Sequence, residues 1–315
     1  MTHERESLWD YGRYAPRPAL HGHVLVGVDG SDEALRALDQ AVAEAAARRA
    51  ALEILHGWPW AKHGAHEVRP GGPEPETSSL LERAHAVLES AVARVHEQAP
   101  ELDVTATLSP HPAVAELTRR GEHAALTVIG SRGLGEITAL VSGSVSRRLA
   151  GSCSSPLLVV RGEAAYGGLD HGVVLVGVGT DTETEAARFA FEQAQQRGAR
   201  VRVLHTCVLP ATSGAGPVVS AERLQEELET KGRKQSAVPQ RAVATLREKF
   251  PGVVVETDTV WGGAAESLVE ATRAADAVVI TAHRPHARRP APRLGPVTHA
   301  LLHRAHCPVY LVPAG

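Results

Sequence analysis

The sequence predicts an α/β fold built twice in tandem, each copy a doubly wound parallel sheet. Three observations predict it. The chain matches itself at an offset of about 150 residues. Within each copy, short β-branched runs alternate with stretches of helical periodicity. The first copy also places glycine-bearing turns directly after its first and fourth apolar runs, where open parallel sheets bind ligands.

The self-match is extensive. "HVLVGVDGSDEALRALDQAVAEAAARRAALEILHGW" from His23 answers "VVLVGVGTDTETEAARFAFEQAQQRGARVRVLHTC" from Val173. "AALTVIGS" from Ala124 answers "DAVVITAH" from Asp276, and "SSPLLVVR" from Ser154 answers "HCPVYLVP" from His306. The boundary falls in the glycine-bearing linker "RGEAAYGGLDHG", Arg161 to Gly172. We therefore expect an N-terminal extension over 1–22, a first domain over 23–161 and a second over 172–315.

In the first copy the pattern predicts strands at Val24–Val28, Leu52–Leu55, Val104–Leu108, Leu126–Ile129 and Leu157–Val160. Helices are predicted over Asp32–Arg49, Ser78–Gln98, Val114–Arg120 and near Ser146–Ala150. The stripe Ala34, Leu35, Leu38, Ala41, Val42 is a core face. Short buried strands joined by helical crossovers make a parallel sheet covered on both sides. Pro59–Ser79 and Pro210–Ser220 read as loops between the second strand and second helix of each copy, and as lid candidates.

Composition narrows the function. The 315 residues are 43% hydrophobic and 22% charged, with a net charge of −3. A pI near 6.6 gives no basic footprint for nucleic acid or anionic lipid. No stretch reaches a membrane span, and the acidic N-terminal segment reads as neither a secretory signal nor a transit peptide. We expect a cytoplasmic protein. Cys153, Cys207 and Cys307 are widely spaced in apolar surroundings and read as reduced core thiols.

The chemistry concentrates in "GSRGLGEITALVSGS", Gly130 to Ser144, after the fourth strand. Successive small residues present backbone N–H groups that bind anions. The helix opening at Gly143 and Ser144 adds its own unpaired N–H groups and the positive end of its dipole, which suits phosphate. Ser144 and Ser146 add hydroxyl donors, and Arg132 is placed to cover a terminal phosphate. Asp29, ending the first strand, could accept from a ribose hydroxyl or hold a magnesium ion on the phosphates. The pattern is neither a Walker loop nor a G-x-G-x-x-G fingerprint.

Gly130-x-x-Gly133, nine residues, then Gly143-Ser144 resembles the motif of the ATP-binding branch of the universal stress proteins. "VLVGVDGSDEALRALDQA" and "LEILHGW" look like that family too, and the likeness covers nearly all of both copies. The resemblance implies five-stranded parallel sheets in the order 3-2-1-4-5, the adenine nucleotide alpha-hydrolase-like architecture. It implies ATP across the first and fourth strands: adenine at the backbone near Val28 and Gly57, ribose at Asp29 and Gly130, phosphates at Gly133, Gly143, Ser144, Val145 and Ser146. Fifth strands in that family commonly pair across two domains. Here Leu157–Val160 and Val309–Val312 would pair within the chain as a pseudo-dimer, with a further homodimer open.

The second copy departs at the decisive positions. Gly179 answers Asp29, Thr281 answers Gly130, Arg284 answers Gly133 and Pro296 answers Ser144, while Gly295 keeps the place of Gly143. Pro296 removes a backbone donor, so we expect no binding there by the same geometry, although Arg284, Arg288, Arg289 and Arg293 could hold an anion by other means. His283, His286, His299, His303, His306 and Cys307 include metal-ligand types but read as structural or surface residues, with no metal site expected. Ser31, His56 and Asp29 lack a nucleophile-elbow context, so His56 and its counterpart His205 are read as structural hydrogen-bond partners. No dedicated catalytic base is identifiable. The reading is a binding protein for ATP and unidentified protein partners; the alternatives are a slow ATPase or nucleotide-dependent enzyme on the same sheet, and a nucleotide-free scaffold.

Overall fold

The first apolar run forms strand β1 (Val24–Gly27), whose valines and leucine are sealed from solvent. The computed structural model describes residues 21–57, 75–131, 144–161, 171–180, 184–207, 221–282 and 294–314. These fall into two units, Met1–Gly135 and Glu136–Gly315.

In the first unit β1 is followed by helix α1 (Asp32–Arg48), strand β2 (Leu52–Gly57), α2 (Pro75–Gln98), β3 (Val104–Ser109), α3 (Ala113–Gly121) and β4 (Leu126–Gly130). The strands lie in the order β3-β2-β1-β4, and each of their ladders is parallel. The order reverses between β1 and β4, which is the switch point of a doubly wound sheet.

Helix α1 starts where it does because Ser31 caps it, its Oγ accepting from the Ala34 N–H at 3.2 Å. It buries Ala34, Ala37, Leu38, Ala41, Val42 and Ala45. Each large aliphatic side chain so buried contributes roughly 1.5–3 kcal/mol. The helix ends on Arg49 at φ 52°, a left-handed position that costs a side-chain-bearing residue about 1–2 kcal/mol. The repeat uses Gly198 at φ 66° for the same turn. Helix α2 begins at Pro75 rather than Ser78, because proline's fixed φ and missing N–H suit a first helical turn. The rest of the expected Pro59–Ser79 loop, and Pro210–Ser220, lie outside the described residues.

The second unit opens with α4 (Ser144–Ser152) and β5 (Leu157–Val160), then β6 (Val173–Val178), α5 (Thr184–Arg197), β7 (Arg200–Cys207) and α6 (Ala221–Lys249). It closes with β8 (Val255–Trp261), α7 (Ala264–Ala271), a 3₁₀ turn (Thr272–Ala274), β9 (Ala277–Ala282), α8 (Pro296–Arg304) and β10 (Val309–Pro313). Its sheet runs β5-β10-β9-β6-β7-β8. All ladders are parallel except β5–β10, which is antiparallel with Val309 opposite Val159, Tyr310 opposite Leu158 and Leu311 opposite Leu157. The second repeat thus orders its own five strands 3-2-1-4-5.

Both repeats share one close approach. A Cβ on Gly27 would lie 3.0 Å from Leu117 Cδ1, and a Cβ on Gly177 would lie 3.0 Å from Leu268 Cδ1. In each, the helix after the third strand rests on the bare backbone of the first strand.

Candidate functional site

In the first unit the carboxyl ends of β1, β2 and β4 gather Val28, Asp29, His56, Gly57 and Gly130. Gly30 turns the chain after β1 at φ +84°, and a Cβ there would also press on Val87 Cγ2 of α2 at 3.0 Å. That turn brings Ser31 back onto Asp29. The Ser31 N–H donates to Asp29 Oδ1 at 3.0 Å and the Ser31 hydroxyl donates to the same oxygen at 2.6 Å. Since the hydroxyl also accepts from Ala34, one serine both starts α1 and fixes the rotamer of the half-buried Asp29.

Val28 is committed on both sides, its N–H donating to Leu55 O at 2.9 Å and its carbonyl accepting from His56 Nδ1 at 2.7 Å. A carbonyl only accepts, so Nδ1 carries the hydrogen. This is the structural role expected for His56. The carbonyl keeps a second lone pair.

Gly57 has a packing reason that sequence reading missed. A Cβ there would sit 2.5 Å from Ala113 Cα and 2.7 Å from Ala113 N, so the start of α3 lies directly on the end of β2. The repeat has Thr206 at this place, the one available hint. Ser131, directly after Gly130, is buried. Among the expected phosphate-binding residues, Ser144, Val145 and Ser146 form the first turn of α4 in the second unit, with Ser146 buried. Arg132, Gly133 and Gly143 lie outside the described residues.

The corresponding place in the second repeat is built differently. His205 Nδ1 donates to Val178 O at 2.9 Å, repeating His56, but its Nε2 also meets the Gln235 carboxamide of α6 at 2.8 Å. With a neutral ring this second contact is a hydrogen bond when the carboxamide presents its NH₂. The pair buries His205, whereas His56 is half-exposed. The buried Thr281 hydroxyl at the end of β9 has no hydrogen-bond partner among the described residues. Helix α8 begins on Gly295 with Pro296 at its start and no side-chain cap. The arginines at 284, 288, 289 and 293 lie outside the described residues.

Elsewhere the first unit buries a charged cluster. Thr107 donates to Glu53 Oε1 at 3.2 Å, Arg120 NH1 donates to the same oxygen, and Arg120 Nε donates to Glu116 Oε1 at 2.6 Å. Cys153, Cys207 and Cys307 are buried thiols outside any disulfide; burial, with the Asp276 carboxylate adding to it, pushes the Cys307 thiol far up from the usual range. Among the described residues no group of three or more metal-binding side chains gathers. Reading the sequence for metal ligands passes over one spacing, His299-x-x-x-His303, whose rings meet on α8 with centroids 4.3 Å apart. Among the described residues no helix is long and apolar enough to cross a membrane.

The comparisons with known proteins agree with this architecture. Residues 21–161 and 172–313 each match the model of the universal stress protein family. A universal stress protein of Mycobacterium tuberculosis is 27% identical over 306 residues, spanning 91% of this chain and 93% of that protein. Another, of Mycobacterium bovis, is 29% identical over 310 residues, spanning 93% and 97%. Among solved structures, a universal stress protein from Archaeoglobus fulgidus shares the fold with a TM-score of 0.61 at 16% identity, over 93% of this chain and 98% of that one. With a doubly wound sheet in each repeat and a family match across each, the chain belongs to the universal stress protein family as two tandem copies of its domain.

Proposed function

We propose that the first repeat binds an adenine nucleotide, ATP, and that the chain is a cytoplasmic stress-response binding protein whose occupancy biases a conformation or a partner interaction. The observation that carries this reading is the opposite character of two helix starts. Helix α1 opens beside Asp29 and carries Asp32 and Glu33 in its first turn. Carboxylates at a positive helix end accept hydroxyl groups and repel phosphate. Helix α4 opens with Ser144-Val145-Ser146 and has no acidic residue in its first turn, and the first N–H groups of a helix have no intrahelical acceptor.

A nucleoside polyphosphate divides along those lines. Its ribose goes to Asp29 and Gly130, its adenine to the backbone near Val28 and Gly57, and its phosphates to Gly133, Gly143, Ser144, Val145 and Ser146 with Arg132 over the terminal phosphate. One carboxylate whose Oδ1 already accepts two hydrogen bonds is not a cation cage. A magnesium ion would arrive with the phosphates rather than reside on the protein. The second repeat lacks Asp29 and Ser144 equivalents and sets Gln235 against His205, so the stoichiometry in this reading is one nucleotide per chain.

Mass identification of nucleotide on the purified protein and equilibrium binding of ATP test this. We expect one ATP per chain, and binding weakened at least about tenfold, or about 1.4 kcal/mol, by Asp29→Asn and by Gly143→Ala. Phosphate release should be no faster than uncatalysed hydrolysis. Unchanged affinity in both variants would overturn the nucleotide reading and leave a scaffold.

A further inference from the structure

On helix α8, His299 and His303 are one turn apart and their rings lie with centroids 4.3 Å apart at 35°. His299 is exposed and His303 half-exposed. We propose that this pair is a two-imidazole chelate for a divalent transition-metal cation of the copper, nickel and zinc class.

The spacing sets the geometry, because side chains at i and i+4 of a helix stand on one face. With metal–nitrogen bonds of about 2.0–2.1 Å and a tetrahedral angle, two chelating imidazole centres sit roughly 5 Å apart. The ring centroids, 4.3 Å apart, lie within about 1 Å of that separation. Imidazole suits this class of cation, and copper(II) should bind most tightly by the general affinity order.

The backbone beneath the rings is held in place. Thr298, Ala300, Leu301 and Leu302 are buried, so the opposite face of α8 is anchored in the core. The last turn of a helix ordinarily frays. Here the Arg161 guanidinium donates to Leu302 O, and at 2.7 Å to His303 O, while the Ala305 N–H returns to Leu301 O at 3.0 Å. A chelate on a pre-ordered turn loses less conformational freedom on binding. His303 lies in the last turn of α8, where the helix dipole favours a cation. The neighbouring cation Arg304 is drawn towards Glu266 Oε1, at 3.4 Å. Two protein nitrogens leave the remaining coordination positions to water or to a further ligand.

Titration of the full chain with copper(II), nickel(II) or zinc(II) salts tests the chelate, with His299→Ala, His303→Gln and the double variant alongside, and His306→Ala as an exposed histidine outside the pair. The expected result is one tight equivalent in the wild type, weakened at least tenfold by either single change and no further by both, with His306→Ala unaffected. Copper(II) spin resonance should report two nitrogen donors in the wild type and fewer in each single variant. Metal-free thermal unfolding of His299→Ala should match the wild type. Equal affinity in wild type and double variant, or an equal loss with His306→Ala, would overturn the proposal.

Discussion

Glu53 and Arg120 are each 1% exposed, and neither would be tolerated there alone. Removing one partner of a buried ion pair leaves an uncompensated charge and costs about 3–5 kcal/mol. The cluster extends in both directions: Thr107 donates to Glu53 and His23 lies 3.1 Å from it, while Arg120 reaches on to Glu116, which also takes Arg119. The second repeat reverses the polarity and moves the pair outward. Arg202 on β7 donates to Asp258 on β8 at 2.7 Å, both part-exposed. Burial raises the Glu116 carboxyl, but the hydrogen bonds and charges of Arg119 and Arg120 outweigh it and hold the group below its ordinary 4.5. A carboxyl with a lowered folded-state value contributes stability above its unfolded value and loses it as pH falls through the folded one. Glu116→Gln should thus cost about 2 kcal/mol at pH 7. In urea titrations, the gap from wild type should close progressively below about pH 4.5. A gap independent of pH would show that the ion contacts are not the source.

At the scale of elements, the first unit is distinguished by how closely α3 meets β2. Gly57 allows it, since a methyl group there would fall 2.5 Å from the Ala113 Cα. Because the neighbour is backbone, the helix itself would have to move. Gly57→Ala should therefore destabilise the chain by about 3 kcal/mol, the upper end for overpacking. Thr206→Ala at the equivalent place of the second repeat should stay within about 1 kcal/mol. Denaturant unfolding checks both, and equal effects would mean that the close approach is not maintained in solution. The alternation of strands and helices was legible because each element's apolar period is written locally: the sequence-predicted boundaries of α1 and β5 lie within a residue of those observed. The wall at Ala113 was not legible, because it depends on two segments meeting that no local pattern links. The His205–Gln235 contact was hidden for the same reason, since Gln235 sits on the exposed-looking part of a long helix that also contains Pro239.

At the scale of the molecule, the antiparallel β5–β10 ladder makes the second unit's sheet six strands wide. All four residues of β5 are buried. Leu158 stands opposite Tyr310, whose hydroxyl accepts from Arg197 at 2.6 Å and whose ring packs on Phe189. Leu158→Asp should bury a carboxylate with no counter-charge designed for it. We expect it to lower the unfolding free energy by at least about 3 kcal/mol, read by denaturant titration. A near-neutral result would mean that the ladder is open in solution.

What the sequence determined by itself was the duplication, the order of elements, the switch point after β1 and β4, and Asp29 as the carboxylate beside it. Hydrophobic period, glycine placement and self-similarity are all properties of the chain read in order. Only the tertiary structure decided that Ser31 locks Asp29, that Gly57 exists to admit Ala113, and that Gln235 reaches His205 in the second repeat. Each of these depends on distances between side chains or backbones brought together by folding, and contact geometry at that resolution is fixed by packing rather than by any local preference of the chain.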